Sequence, residues 1–295
     1  MTTENKATSI RFENVSYIYS PDTPFEKRAL DCINTEIEGG VITGLIGHTG
    51  SGKSTLVQLM NGLLKPTCGK VYVGGRDIWE DPKKIREFRF RVGLVFQYPE
   101  YQLFEETIYK DIAFGPSNMG LDEAEIKARV LESLDFVGLD ASMLDKSPFD
   151  LSGGQKRRVA IAGIMAMRPE VLVLDEPAAG LDPRGREEIL GGVREYQRRT
   201  GSTVIIVSHS MEDMAKYADR LLVMKGAEVI KNGDCHEIFA ESETLTSIGL
   251  DVPQITRFMK ALAARGVDVP ADIFTVDEAA AALLPLLRKE GGASC

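Results

Sequence analysis

Between residues 41 and 64 the chain reads VITGLIGHTGSGKSTLVQLMNGLL, and no other stretch restricts the fold so tightly. The uncharged apolar run reads as a buried strand, and the pattern from Ser54 onward reads as a helix. The loop between them fits G-x-x-x-x-G-K-[ST], with Gly47, Gly52, Lys53 and Ser54 at the fixed places. Strand, glycine-rich loop and helix in that order let successive backbone N–H groups converge on phosphate oxygens at a helix N-terminus. Lys53 then neutralises the β- and γ-phosphates, and the Ser54 hydroxyl offers a magnesium ligand. A merely structural glycine turn would not need Lys53 and Ser54 in sequence. The candidate nucleotide-binding residues here are Gly47, His48, Thr49, Gly50, Ser51, Gly52, Lys53, Ser54 and Thr55. His48 occupies a variable position of the loop and is not read as catalytic.

The rest of the pattern is built around that unit. Residues 9–19 alternate Ile10, Phe12, Val15, Tyr17 and Tyr19 with polar residues, which predicts a half-buried strand with a bulge near Asn14. A turn-rich loop at 20–28 follows. Gly69, Gly74 and Gly75 punctuate a hairpin around KVYV, and Asp81 with Pro82 starts a short helix as cap and first residue. From Thr107 to Leu144 strand-like runs give way to helical spacing, as with Ile126, Val130, Leu131 and Leu134, so a helical insert is expected. VLVLDEP and STVIIVSH then read as buried parallel strands, with Gly226 and Gly233 bounding a second hairpin. The tail predicts a helix starting at Asp251, Pro253 and Gln254 and stopping at Gly266. These readings divide the chain into 1–245, an α/β domain carrying a helical subdomain at about 98–165, and 246–295, a helical extension.

Composition excludes several classes. With 43% hydrophobic residues the chain buries a core, and 35 basic against 44 acidic residues give a net charge of −9. No global cationic field exists to hold a nucleic acid by counterion release. The longest apolar runs, such as 279–287, fall well short of the ~20 residues a membrane-crossing helix requires. No cationic segment followed by an apolar one opens the chain, so no secretory signal is expected and the cytosol is the expected compartment. Cys32, Cys68, Cys235 and Cys295 form no C-x-x-C pair, which argues against zinc. They read as small core or boundary residues plus an exposed terminal one.

Asp175 and Glu176 close the VLVLDEP strand, and the C-terminal edge of such a strand is where α/β sheets place ligands. Beside a phosphate loop, Asp175 suits a magnesium site and Glu176 polarises the water that attacks the γ-phosphate. Alone, the pair would read equally as a helix cap followed by a solvated acid. Leu151, Ser152, Gly153, Gly154 and Gln155 precede a strongly helical run and offer bare N–H groups, a hydroxyl and a positive dipole end, a second anion-binding surface.

With this signature the chain resembles the ATP-binding cassette family over about residues 9–240, the motifs occurring in the family's order. The resemblance implies a P-loop NTPase fold of α/β class with a mixed sheet, and ATP with Mg2+ as cofactors. It implies that Tyr19 stacks on adenine, that Gln97 begins the loop sensing magnesium and the attacking water, that Asp182 lies in the D-loop and that His209 is the switch histidine. Without the family, Tyr19 reads as a strand-end aromatic and His209 as a satisfied histidine after a strand. The resemblance also implies two composite sites at a head-to-tail dimer interface, with Ser152 and Gly154 reaching the partner's γ-phosphate. Catalytic roles thereby fall to Glu176, His209 and Gln97, and metal contact to Ser54, Gln97 and Asp175.

The stretch QYPEYQLFEET at 97–107, continuing into DIAFGP, resembles the energy-coupling-factor importers for vitamins and metal ions, specifically the second ATPase of the pair. SHSMED at 208–213 and the tail also look like that subfamily. This implies a related ATPase as partner (a heterodimer, with a homodimer open), a transmembrane coupling subunit, a separate substrate-binding membrane subunit, and a peripheral position on the cytoplasmic face of the cell membrane. Tyr101, Leu103, Phe104 and Ile112 are expected to line a docking groove, although Tyr101, Leu103 and Phe104 read equally as packing for the insert. Lys83, Lys84, Arg86, Arg89 and Arg91 read as the solvated face of a short helix whose inner face is Ile85 and Phe88. A soluble cassette ATPase of translation or DNA maintenance is the rival class, opposed by the single uninterrupted cassette and the negative charge. The tail carries two apolar stripes, Ile255, Phe258, Met259 and Leu262, then Ala280, Leu283, Leu284 and Leu287. They must be buried on the chain's own core or on a neighbouring cassette, and the neighbour is the expectation.

Overall fold

The computed structural model describes residues 7–290. In chain order the strands are β1 (Ile10–Tyr19), β2 (Lys27–Ile37), β3 (Ile42–Gly47), β4 (Cys68–Val73), β5 (Arg76–Asp77), β6 (Val92–Val95), β7 (Val171–Asp175), β8 (Thr203–Val207), β9 (Arg220–Lys225) and β10 (Glu228–Asp234). The helices are α1 (Lys53–Met60), α2 (Ile85–Arg91), α3 (Ile108–Asn118), α4 (Glu123–Phe136), α5 (Gly153–Met165), α6 (Pro183–Thr200), α7 (Met211–Tyr217), α8 (Cys235–Ala240), α9 (Ser242–Ser247), α10 (Gln254–Ala264) and α11 (Val276–Glu290). A six-stranded sheet runs in the order β10-β9-β3-β8-β7-β6, and a four-stranded one in the order β2-β1-β4-β5. In the larger sheet β9, β3, β8, β7 and β6 are parallel and β10 joins antiparallel at the edge.

Continuous apolar strands are buried on both faces, and alternate residues feed two cores. Ile46, Leu174, Ile206 and Val223 face the core that the helices cover. Leu45, Val173, Ile205 and Leu222 face the core shared with α1 and the antiparallel sheet. Every parallel strand therefore ends at one edge of the sheet, and β3, flanked by β8 and β9, delivers the phosphate loop to its middle.

Most expected elements form, including the bulge at Asn14, where φ is +50° and the β1–β2 register shifts. The turn-rich loop ends sooner than expected, because β2 begins at Lys27. Its buried residues Leu30, Ile33 and Ile37 fall at spacings of three and four, since Cys32 at φ +47° breaks the alternation that would mark a strand. Asp251 does not cap α10. Its carboxylate pairs with Arg257, and Pro253 holds the cap position without a side-chain bond. Cys32 and Cys68 are exposed and only Cys235 of the described cysteines is buried; Cys295 lies outside the described residues.

The tail departs from the expectation of a neighbouring cassette in its root. Leu250, Val252 and Phe274 join the chain's own core, with the Phe274 ring 5.9 Å from that of Phe239 and edge-on to His236 at 5.1 Å. Beyond the root, α10 and α11 pack on each other through Met259, Ile273 and Ala279, with Ile255, Leu262 and Leu283 around them. Ala279 rather than Ala280 is the buried alanine, Phe258 and Leu284 stay about half exposed, and the Leu287 side chain lies outside the described set. Phe274→Ala is expected to destabilise the chain by about 3–4 kcal/mol through the cavity it leaves. That corresponds to a fall of roughly 5–10 °C in the unfolding midpoint, readable by calorimetry.

Candidate active site

The phosphate loop follows β3 without a spare residue. A Cβ on Gly47 would lie 2.4 Å from the Met224 carbonyl oxygen, and Gly52, at φ +105°, would place one 2.5 Å from the Ala29 oxygen. Only glycine passes between these backbones. Lys53 is buried and its Nζ donates to the carbonyl oxygens of Gly47 at 2.6 Å and His48 at 3.0 Å. Burial lowers its pKa, and the charges of Glu176 and Asp175 oppose that shift. The Ser54 hydroxyl donates to Asp175 Oδ2 at 3.3 Å, so the loop and the end of β7 meet directly.

A cleft of about 290 Å3 opens there, and the strand ends supply its walls. β1 contributes Tyr19, whose hydroxyl lies 3.2 Å from Thr55 Oγ1; the segment after β6 contributes Gln97; β7 contributes Asp175 and Glu176; β8 leads to His209. Thr49, Gly50, Gly52, Lys53, Ser54 and Thr55 form its floor. Glu176 adopts φ +52°, a left-handed conformation rare for a residue with a side chain, while its N–H donates to the Val207 oxygen at 3.0 Å. Its Oε1 is buried with no hydrogen-bond partner among the described residues. Desolvation, aided by the Asp175 charge and opposed by Lys53, pushes its pKa up to about 7. His209 Nε2 stands 3.6 Å from that oxygen, and burial with the nearby Lys53 charge lowers the imidazole pKa. At neutral pH the pair is thus a carboxyl near its midpoint facing a neutral histidine, not an ion pair.

Several expected residues lie elsewhere. Gly47, His48 and Ser51 do not line the cleft, and His48 Nε2 instead meets the Ile248 carbonyl oxygen at 2.8 Å, joining the phosphate loop to the start of the tail. Ser152, Gly153, Gly154 and Gln155 are also away from it. Ser152 caps α5 in a reciprocal box, its Oγ accepting from the Gln155 N–H at 3.4 Å while Gln155 Oε1 accepts from the Ser152 N–H at 3.1 Å. Asp182 caps α6 by accepting from the Gly185 N–H at 2.6 Å. Conversely, Lys27 lines the cleft and escaped the sequence reading. Only the antiparallel register that sets Lys27 opposite Tyr19 brings it there.

A second, apolar cleft of about 320 Å3 includes Leu103, Phe104, Phe114, Val159, Ile164 and Met167. Phe104 and Phe114 meet edge-to-face at 4.9 Å. Two expected lining residues are corrected: Ile112 is fully buried beneath, on the inward face of α3, and Tyr101 is exposed but off the wall. Lys83, Lys84, Arg86 and Arg89 of the basic cluster on and around α2 are exposed, as expected of a solvated face, while Arg91 is half-buried and bidentate to Glu170 at 2.7 and 2.8 Å.

Residues 30–179 match the family model described as ABC transporter. The energy-coupling factor transporter ATP-binding protein EcfA2 of Clostridium perfringens is 57% identical over 95% of this chain and 99% of its own length. Its counterpart from Caldanaerobacter subterraneus is 54% identical over 95% and 98%. Among solved structures, cbiO1 from Clostridium perfringens, part of the ABC transporter complex cbiONQ, superposes with a TM-score of 0.73 at 41% identity, covering 85% of this chain and 98% of its own. The dimeric post-hydrolysis state of the ATP-binding cassette MJ0796, bound to ADP and Pi, gives 0.69 at 28% identity over 77% and 98%. This chain therefore belongs to the ABC transporter family as an ATP-hydrolysing ATP-binding subunit of an energy-coupling factor transporter, of the second-ATPase type.

Proposed function

We propose that the chain drives import of a vitamin or other micronutrient by pairing head to tail with a related ATPase, or with a second copy of itself, and docking on a transmembrane coupling subunit at the cytoplasmic face of the membrane. One observation carries the composite-site reading. The signature residues Ser152 to Gln155 stand off their own cleft, which supports a signature from another chain meeting a γ-phosphate held by Lys53. Tyr19 stacks on adenine, the loop amides and Lys53 hold the phosphates, and Asp182 takes part at the junction of the two cassettes.

Ser54, Asp175 and Gln97 fit a magnesium ion, since hydroxyl, carboxylate and amide oxygens are the hard donors it prefers and Ser54 already touches Asp175. Bound there, the ion would supply charge neutralisation to the phosphates. Glu176 accepts the proton of the attacking water on its unpaired Oε1, and Gln97 and neutral His209 orient that water. Loss of the γ-phosphate contacts then lets the halves separate.

The apolar cleft around Phe104 is the docking surface for the coupling subunit. Phe104→Glu places an unpaired charge where an apolar partner helix seats, costing several kcal/mol in the complex but little at a half-exposed site in the free chain. ATP-driven substrate uptake in proteoliposomes is expected to fall at least tenfold while basal ATPase and melting temperature hold. Parallel loss of ATPase and thermal stability would place Phe104 in the core instead. The exposed Phe258 and Leu284 suit a standing contact with the partner ATPase. Phe258→Ser is expected to weaken association without nucleotide in sedimentation, leaving ATP binding unchanged.

A further inference from the structure

Arg157 on α5 is 4% exposed, and its pair with Glu100 is the most buried ion pair among the described residues. Its Nε and Nη2 donate to the two Glu100 oxygens at 3.0 and 2.9 Å. Its Nη1 donates to the Ala179 carbonyl oxygen, and its guanidinium lies 5.9 Å from the Tyr98 ring centre. One side chain thus joins the helix that begins at Ser152 to two other segments. Glu100 stands three residues after Gln97, and Ala179 three residues after Glu176, in a turn closed by the Ala179 N–H on the Glu176 oxygen at 3.2 Å. Both segments carry a non-glycine residue in the left-handed region, Tyr98 at φ +56° and Glu176 at φ +52°. Such strain persists only where surrounding contacts over-determine it. A buried ion pair is often no better for stability than apolar residues of similar size, so its presence here is weak evidence for a stabilising role alone.

We infer that Arg157 is a positioning residue for hydrolysis: by holding Glu100 and Ala179 it sets the spacing of Gln97 and Glu176 across the cleft, and it ties that spacing to the helix led by the signature. The inference rests on the roles proposed above for Gln97 and Glu176. Its consequence is that displacement of α5, whose N-terminus presents the signature, is passed to the chain's own water-activating pair through a rigid guanidinium fork. Arg157 does not line the cleft, and it acts only through the two segments.

Two variants test this in the full-length chain assembled with its partner ATPase. Arg157→Met with Glu100→Leu removes both charges together and keeps the volume, so the melting temperature is expected to stay near the wild-type value. ATP affinity should hold within about threefold while kcat falls about 10- to 100-fold, the scale of a misplacement near 1 Å. Arg157→Lys keeps the charge but not the fork and should lose less, with the same split between kcat and affinity. A folded variant with kcat within about twofold of wild type overturns the inference, as does a proportionate loss of kcat, affinity and melting temperature in Arg157→Lys. Glu176→Gln is measured alongside. If that variant keeps its turnover, the role assigned to Glu176 fails, whatever the Arg157 variants do.

Discussion

Glu176→Gln is expected to cut ATP turnover by about 10²- to 10⁴-fold, the range a general base supplies, with nucleotide affinity unchanged. The amide keeps the size and the unusual backbone of the residue but offers no proton acceptor. Lys53 and the loop amides, to which we assign the phosphates, are untouched. Single-turnover hydrolysis beside binding of a fluorescent ATP analogue separates the two effects, and undiminished turnover would remove Glu176 from the mechanism. The raised pKa gives the same side chain a pH signature. Acting as a base, it needs its ionised form, so wild-type turnover should rise with pH through about 7. Stability runs the opposite way. The folded-state pKa is above the unfolded one, so the contribution of this group is fully present below about pH 4.5 and is lost as pH rises through about 7. The amide of Glu176→Gln cannot ionise. The nucleotide-free variant is therefore expected to melt higher than wild type at pH 8, by the equivalent of a few kcal/mol at most, with the gap closing below about pH 4.5.

Ser152→Arg is expected to lower turnover by about 10²-fold in any assembly where it faces the partner's site, since the bulky cation replaces a hydroxyl donor at the γ-phosphate. ATP binding in its own cleft should persist, because Ser152 lies off that cleft. The capping box complicates this variant, for losing a serine cap costs about 1 kcal/mol. Ser152→Asp separates the two roles. Aspartate caps as well as serine, so the fold is kept, yet its carboxylate repels the incoming phosphate and turnover should fall equally. If Ser152→Asp retains full activity while Ser152→Arg loses activity and melting temperature together, Ser152 is a cap and no more.

Much of the site was legible because its chemistry is local in sequence. Gly52, Lys53 and Ser54 must be contiguous, since a helix N-terminus presents only its own first residues, and Asp175 and Glu176 must sit at a strand's end. Lys27 and Arg157 were invisible for the converse reason. Lys27 reaches the cleft only through antiparallel pairing with Tyr19, and Arg157 matters only because Glu100 and Ala179, 57 and 22 residues away, fold against it. Strand β2 was hidden by its bulge, which turned period two into a helical spacing. The second apolar stripe buries Ala279 in place of the expected Ala280, since spacing along one helix does not reveal which face it turns to another short helix.

By itself the sequence determined the α/β class, the phosphate loop and the pair of carboxylates at the end of β7, because each is written in contiguous residues whose backbone needs admit few substitutes, and its resemblance to known importers pointed to the second-ATPase branch. Tertiary structure alone decided which side chains meet across those segments. It buried Ile112 and raised Phe114 onto the apolar cleft, rooted the tail on Phe274, and gave His48 to the Ile248 carbonyl. The physical reason is that periodicity records how much of an element is apolar, whereas burial, pKa and partner depend on what packs against it from elsewhere in the chain.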